Sequence, residues 1–361
     1  MVLLQFALAI ALIILLVKSS DFFVEAVAKI AKYFGVSEFV IGLTVVAIGT
    51  SLPELGSSVM AAFMGQNDFA MGNILGSNIA NIGLIMGFSA IVLSIKTNKE
   101  IFGRDGLIML AITGIMVLFA SDAYVSFLEG IILVAIIPFY LLYLFNFRPK
   151  LRKKLYDAKD YLTSFYNFKS APKISEKKLE GDLKKESYED FVGEGFDLEE
   201  YKKVKPRLSM YKKHIIKDLV IIIISGLMIY LSSRYLVPTA VEIATYFGVT
   251  ENIIGATLVA LGTSLPELSV SISSLRKGFN NMLLGNIIGS NIFNLALVGG
   301  LVAMISPIIV LPSTLYLIMP YTLLMTVLFF IFMRTGWKIK KYEVAALLGL
   351  YGLFIYLLLT F

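Results

Sequence analysis

Two carboxylates are the residues of this chain most able to do chemistry. Glu54 and Glu267 sit at the same place in two copies of the stretch GTSLPEL, at 49–55 and 262–268, 213 positions apart. The sequence around both is apolar enough for a lipid bilayer, where a charged side chain costs about 3 kcal/mol or more. Two such charges brought together by symmetry also repel each other, so they fit around something positive. A helix-packing carboxylate paired with Lys or Arg is the structural alternative, but the four apolar stretches that carry the repeats hold neither residue. A permanently protonated pair is a second alternative. Intramembrane acids are functional by default, and the pair is read as a cation site.

The neighbouring residues suit a hard cation. Ala47, Thr50, Ser51 and Glu54 fall at spacings of three, four and seven, on one helical face, as do Ala260, Thr263, Ser264 and Glu267. Pro53 lacks an N–H and its ring clashes with the carbonyl of Gly49, and Pro266 acts the same way in the second copy. The break should free carbonyl oxygens around Ala47–Thr50, and such oxygens are tolerated at membrane depth where they line a site. The next apolar stretch adds Asn73, Ser77 and Asn81, spaced by four, and its mate adds Asn286, Ser290 and Asn294. Small polar residues also let membrane helices pack closely. Asn78 and Asn291, off that face, are assigned to packing, whereas Ser77, Asn81, Ser290 and Asn294 are assigned to the site. All these donors are oxygens, a set that suits calcium or sodium better than magnesium. With no cysteine and a single histidine, His214, zinc and copper are poor candidates and a catalytic triad is excluded.

The elements that must hold these residues are membrane helices. Of 361 residues 57% are hydrophobic and only 16% charged, with a mean hydropathy of +0.80, whereas soluble chains are about a quarter charged. The opening MVLLQFALAIALIILLVKSS has no basic start and no small-residue cleavage site, so it is read as a retained helix. Ten stretches are long enough to span: 2–32, 39–64, 70–95, 105–121 and 125–145, then 215–246, 252–275, 281–306, 312–333 and 340–360. Between the two sets, 146–214 holds 18 of the 32 Lys+Arg and 12 of the 26 Asp+Glu. The expected organisation is a five-helix unit over 1–145, a charged loop over 146–214 and a second five-helix unit over 215–361.

Basic residues orient the chain. With the loop in the cytoplasm, that side also carries Lys29, Lys32, Lys96, Lys99, Arg104, Arg276, Lys277, Arg334, Lys338, Lys340 and Lys341, while GQNDF, SDAYVS and SPIIVLPS on the other side have no Lys or Arg. Arg234 is the main exception. The bias places both termini outside the cell membrane and 146–214 inside.

The two units are copies. At an offset of 213, GLTVVAIGTSLPEL (42–55) matches GATLVALGTSLPEL (255–268) at 11 of 14 positions, and GNILGSNIANIGL (72–84) aligns with GNIIGSNIFNLAL (285–297) without a gap. Because five is odd, the second copy enters the membrane from the opposite side. The expected fold is therefore all-α and integral to the membrane, ten transmembrane helices as two inverted five-helix repeats, with the site where the repeats meet. The first helix of each unit carries no donors and is expected to slide as a gate.

The paired GTSLPE blocks, each followed by GNxxGSNIxN, within 42–87 and 255–300, resemble the two α-repeats of the cation/calcium antiporter superfamily, most closely sodium/calcium exchangers of the prokaryotic type. The resemblance covers both units. It implies electrogenic exchange of sodium for calcium with no cofactor. Calcium would be held by Glu54, Glu267 and the backbone oxygens of Thr50 and Thr263. Sodium would use the Ala47 and Ala260 carbonyls, Ser51, Ser77, Ser264 and Ser290 together with the two glutamates, with Asn81 beside them. Many relatives, potassium-dependent ones among them, have Asp where this chain has Asn294, and animal-type sodium/calcium exchangers have Asn. That position implies exchange independent of potassium. The charge count supplies a mechanism: one calcium or two sodium ions neutralise the pair, and moving the uncompensated pair past an apolar gate is costly, so only loaded forms switch sides.

Three rivals remain at this point. A calcium/proton antiporter would use the glutamates as proton carriers. A cation channel fits an inverted repeat with broken helices poorly, and no nucleophile–base pair supports an intramembrane enzyme. The segment EDFVGEGFDLEE (189–200) lacks the EF-hand pattern, and 146–214 is read as a solvated linker whose basic ends, RPKLRKK and KKVKPR, meet anionic headgroups. The expected partners are the two ions and the bilayer, with no nucleic acid. No oligomer is specified and a monomer suffices.

Overall fold

The computed structural model describes residues 2–33, 36–92, 95–146, 198–247 and 260–360. The chain divides into two compact units, Met1–Phe147 with Ile222–Phe361, and Arg148–Ile221. Of the second unit only the helical residues from Leu198 onward are described.

Apolar runs of about 20 residues become helices because a bilayer offers backbone groups no water to bond. In chain order they are α1 (Val2–Tyr33), α2 (Glu38–Thr50), α3 (Leu52–Phe63), α4 (67–92), α5 (Ile101–Asp122), α6 (Phe127–Asn146), α7 (Leu198–Tyr246), α8 (Ala260–Thr263), α9 (Leu265–Arg276), α10 (Asn280–Ile305), α11 (Thr314–Trp337) and α12 (Lys341–Thr360). Eight of these are long and apolar enough to span a membrane, and α2 with α3, bent by 44°, makes a ninth. The expected span 252–275 is described from Ala260, where α8 and α9 repeat the break between α2 and α3; its first residues lie outside the described part. The helix α7 starts well before the apolar run at 215, because Leu198–His214 is rich in Lys, with Glu, Arg and Leu among the rest, and these residues favour helix in water as in lipid.

The 213-residue offset carries into the backbone. Ser51 (φ −83°, ψ 6°) and Ser264 (φ −87°, ψ 6°) interrupt the paired helices. Turns at Gly65 (φ 74°) and Gly278 (φ 79°) have left-handed backbone that a glycine adopts without strain. Wide π-helical turns begin at Asn81 and Asn294, and at Ile101 and Thr314. Two short strands, β1 (Tyr124–Val125) and β2 (Ile308–Ile309), pair antiparallel, and Lys96 faces Lys338 in an isolated antiparallel bridge.

The most buried spans are α4 and α10, and the least buried are α1 and α7. Side-chain-free contact sets the register at the centre. A Cβ on Gly285 would lie 2.2 Å from the Phe39 carbonyl oxygen, and one on Gly289 would lie 2.3 Å from that of Leu43. The backbone of α2 therefore rests directly on α10, which brings the break at Ser51 against the polar face of the opposite repeat.

Candidate cation site

Proline placement builds the site. Pro53 and Pro266 occupy the first turns of α3 and α9, where a missing N–H costs nothing. Each new helix start puts a glutamate in its first turn, Glu54 in α3 and Glu267 in α9. A helix N-terminus carries partial positive charge and favours a carboxylate there. Both glutamates are fully buried and close enough to interact electrostatically. Neither takes part in an ion pair among the described residues.

The two repeats furnish each other's surroundings. Ser51 Oγ donates to Glu267 Oε1 at 3.2 Å. Thr50 also lies against Glu267, and Thr263 against Glu54. Asn81 Nδ2 donates to Ser290 Oγ at 3.0 Å and to Asn291 Oδ1 at 3.2 Å. Asn294 Nδ2 donates to Ser77 Oγ and Asn78 Oδ1, both at 3.2 Å. Ser77 and Ser290 give their own protons to carbonyls one turn back, so each keeps one lone pair free.

The structure thus brings Thr50, Ser51, Thr263, Ser264, Ser77, Ser290, Asn81 and Asn294 together with the two glutamates at the repeat interface. Ala47 is buried there too, but its carbonyl is not freed by the break: it accepts from Ser51 N at 3.0 Å and from Thr50 Oγ1 at 3.3 Å. Ala260 opens α8 on the equivalent turn. Asn78 and Asn291, assigned from sequence to packing, do pack, with Asn78 Nδ2 on the Asn291 carbonyl at 3.2 Å. They also accept from the central asparagines and so fix their orientation. The sign was present in the sequence: both are the second Asn of a shared GNxxGSN block.

Ten buried side-chain polar atoms lack a hydrogen-bond partner among the described residues, and six of them lie here: both oxygens of Glu54, Glu267 Oε2, Ser264 Oγ, Asn81 Oδ1 and Asn294 Oδ1. Buried polar atoms are nearly always bonded, so a concentration of unpaired oxygens points to a ligand that only accepts their lone pairs. No group of three or more His, Cys, Asp or Glu occurs among the described residues. The donor set is two carboxylates with neutral oxygens, which matches a hard cation.

Residues 4–146 and 217–360 match the family model described as sodium/calcium exchanger protein. The chain is 37% identical over 358 residues to sodium/calcium exchanger MaX1 of Methanosarcina acetivorans, covering 99% of each. It is 32% identical over 305 residues to inner membrane protein YrbG of Escherichia coli, covering 84% of this chain and 81% of that one. Its fold matches the solved structure of the sodium-calcium exchanger NCX_Mj with a TM-score of 0.74 and 27% identity, over 99% of this chain and 100% of the other. The chain belongs to the sodium/calcium exchanger family, as a multi-pass membrane transporter and not an enzyme.

Proposed function

We propose that the protein exchanges sodium for calcium across the cell membrane by alternating access, electrogenically and without potassium. The observation that carries this reading is the set of six unpaired buried oxygens on Glu54, Glu267, Ser264, Asn81 and Asn294, with no basic side chain paired to either acid among the described residues. Calcium is held by Glu54, Glu267 and the backbone oxygens of Thr50 and Thr263. Sodium is held by the same carboxylates with Ser51, Ser77, Ser264, Ser290 and the carbonyls of Ala47 and Ala260, the Ala47 lone pair coming free when the Thr50 proton goes to Asn286, while Asn81 and Asn294 supply amide oxygens. Residues 1–145 and 215–361 act as the two inverted repeats. Residues 146–214 form the cytoplasmic loop, and both termini lie outside.

Shared carboxylates make the exchange obligatory. The pair carries a charge of −2 when ionised, which one calcium or two sodium ions cancel; a third sodium on the remaining neutral oxygens makes the exchange electrogenic. An uncompensated pair passes an apolar gate only at high cost, so the two ions compete for the site and the loaded forms move. The test is calcium-45 uptake into sodium-loaded proteoliposomes, with potassium-only and proton-only gradients as parallel arms. Uptake that tracks sodium, is unchanged by potassium and is absent with protons alone supports the reading. Uptake driven by protons alone identifies the calcium/proton antiporter instead, and calcium flux without counter-flux identifies a channel.

A further inference from the structure

Two asparagines of the polar faces that were given no ion to hold, Asn73 and Asn286, hold the threonines at the helix breaks. Thr50 Oγ1 donates to Asn286 Oδ1 at 3.1 Å, and Thr263 Oγ1 donates to Asn73 Oδ1 at 3.3 Å. Each asparagine is tethered at its other end. Asn73 Nδ2 donates to Ser57 Oγ at 3.1 Å and to Ser58 Oγ at 2.9 Å, and Asn286 Nδ2 donates to Ser271 Oγ at 3.4 Å. An amide's orientation is decided by its network, and here a neighbour decides it. Ser57 spends its one proton on the Glu54 carbonyl at 3.2 Å, so it can only accept from Asn73. The amide nitrogen of Asn73 must face Ser57, which turns Oδ1 toward Thr263. In the second repeat Val270 stands in place of Ser57, and the counterpart of Ser58, Ser271, alone receives the Asn286 amide nitrogen, which leaves Oδ1 on Thr50.

This orientation sets the direction of one proton. The Thr50 hydroxyl has a single hydrogen and two acceptors in bonding distance, the Ala47 carbonyl at 3.3 Å and Asn286 Oδ1 at 3.1 Å, and the Glu267 carboxylate stands beside it, held by the adjacent Ser51 at 3.2 Å. Without Asn286 the proton would go to the carboxylate, because hydrogen bonds to charged acceptors are the stronger ones. That bond would occupy a lone pair that a cation needs. With Asn286 taking the proton, the hydroxyl oxygen is left beside Glu267 as a second acceptor, and an ionised carboxylate facing that oxygen is stable only around a cation.

We propose that Asn286 and Asn73 are positioning residues that take the protons of the Thr50 and Thr263 hydroxyls, so that these oxygens meet Glu267 and Glu54 as acceptors and the site is complementary to a cation. The inference rests on the reading that the two glutamates hold the transported ions. The test is a double-mutant cycle on purified protein. Wild type, Thr50→Val, Asn286→Ala and the double variant are titrated with calcium and, separately, with sodium, and half-saturation is read from the rise in melting temperature. Asn286→Ala should weaken binding roughly fivefold, the scale of one hydrogen bond. In the Thr50→Val background, which has no hydroxyl proton to redirect, the same change should have almost no effect, whereas Thr50→Ser should preserve it. A residue that only packs would cost the same in both backgrounds, and that result overturns the inference. The mirrored cycle on Thr263 and Asn73 is the second trial. If both alanine variants fail to fold while both valine variants fold, the asparagines are structural and the inference is wrong. A wild type that answers to neither sodium nor calcium would defeat the functional reading, and the cycle is then read on whichever cation does stabilise it.

Discussion

The two repeats are nearly superposable in sequence at the site, yet the structure does not use them alike. Around the carboxylates the cross-repeat bonds come in matched pairs: Asn81 to Ser290 with Asn294 to Ser77, and Thr50 to Asn286 with Thr263 to Asn73. One pair is broken. Ser51 donates to Glu267, but among the described residues its counterpart Ser264 has no partner, and neither oxygen of Glu54 has one. Away from the site the halves diverge further. Helix α1 is bonded to α9 through Ser20 to Ser269 at 2.7 Å, Ser273 to Asp21 at 2.7 Å and Lys277 to Glu25 at 3.3 Å. The equivalent residues on α3 are Gly56, Met60 and Met64, and both methionines are exposed. On the proposed reading, symmetry is kept where both repeats contact one ion and is relaxed where a helix slides.

The largest effect tests the symmetric part. Glu54→Gln and Glu267→Gln each remove one charge and keep the shape. Since uncompensating a buried charge costs about 3–5 kcal/mol, either change should weaken calcium binding more than about 100-fold and abolish uptake in proteoliposomes while the protein stays folded. If the two carboxylates share one ion, both variants fail alike; a variant with wild-type exchange would remove its glutamate from the site.

Next comes the pair Asn81 and Asn294, equivalent in sequence and both central. Asn294→Asp would place a third carboxylate beside Glu54 and Glu267. Like charges disfavour ionisation, so this carboxyl should titrate above its ordinary range of about 4. Exchange should then be impaired where this carboxyl is ionised, since one calcium leaves the cavity a charge short, and recover as acidification protonates it, unless a further monovalent cation supplies the missing charge. Rates measured from about pH 5 to 9, with and without potassium, read the effect. Profiles that overlay wild type would assign the Asn294 side chain to packing.

Much of this symmetry was legible in the sequence, and the reasons are specific. The identical GTSLPEL blocks locate both breaks because Pro53 and Pro266 are chemically unable to continue a helix. The glycines of GNxxGSN mark close contact, although only the structure shows that Gly285 and Gly289 meet the carbonyls of Phe39 and Leu43. The wide turns at Asn81 and Asn294 were not legible, since a π turn leaves the apolar pattern almost unchanged while rotating the rest of the helix beyond it. For that reason the hydrogen-bond partners of the two central asparagines could not be read from spacing. The start of α7 at Leu198 was hidden for the opposite reason: a charged helix carries no hydropathy signal.

A smaller effect addresses the broken pair at the carboxylates. Ser51→Ala removes a bond to Glu267 and should lower stability by about 1 kcal/mol. Ser264→Ala removes an unpaired buried oxygen and should cost little or even stabilise, because an unsatisfied buried group is itself unfavourable. Melting curves without sodium or calcium compare the two. Equal losses would mean that Ser264 bonds Glu54 in solution as Ser51 bonds Glu267, and the asymmetry at the site would disappear.

The smallest expected effect concerns the contact between α1 and α9. Arg276 lies 4.0 Å from Asp21 and Lys277 lies 3.3 Å from Glu25, with all four side chains partly exposed. Ion pairs of this kind contribute about 0.5 kcal/mol each, enough to shift a two-state balance by roughly two- to fivefold but not to decide it. On the alternating-access reading, Arg276→Gln with Lys277→Gln should loosen the end of the molecule where α1 meets α9 and leave the opposite end, lined by Met60 and Met64, as it was. Half-saturating calcium should then fall at the loosened face and rise at the other, since a ligand's apparent affinity scales with the population open to it. The difference should shrink in high salt, which screens exposed charges within about 10 Å at 0.1 M. Calcium titrations from each side of sealed vesicles, in low and high salt, measure it. A change of the same sign and size at both faces would show that the charges act on the site itself, and the two ends of the molecule would have to be regarded as equivalent.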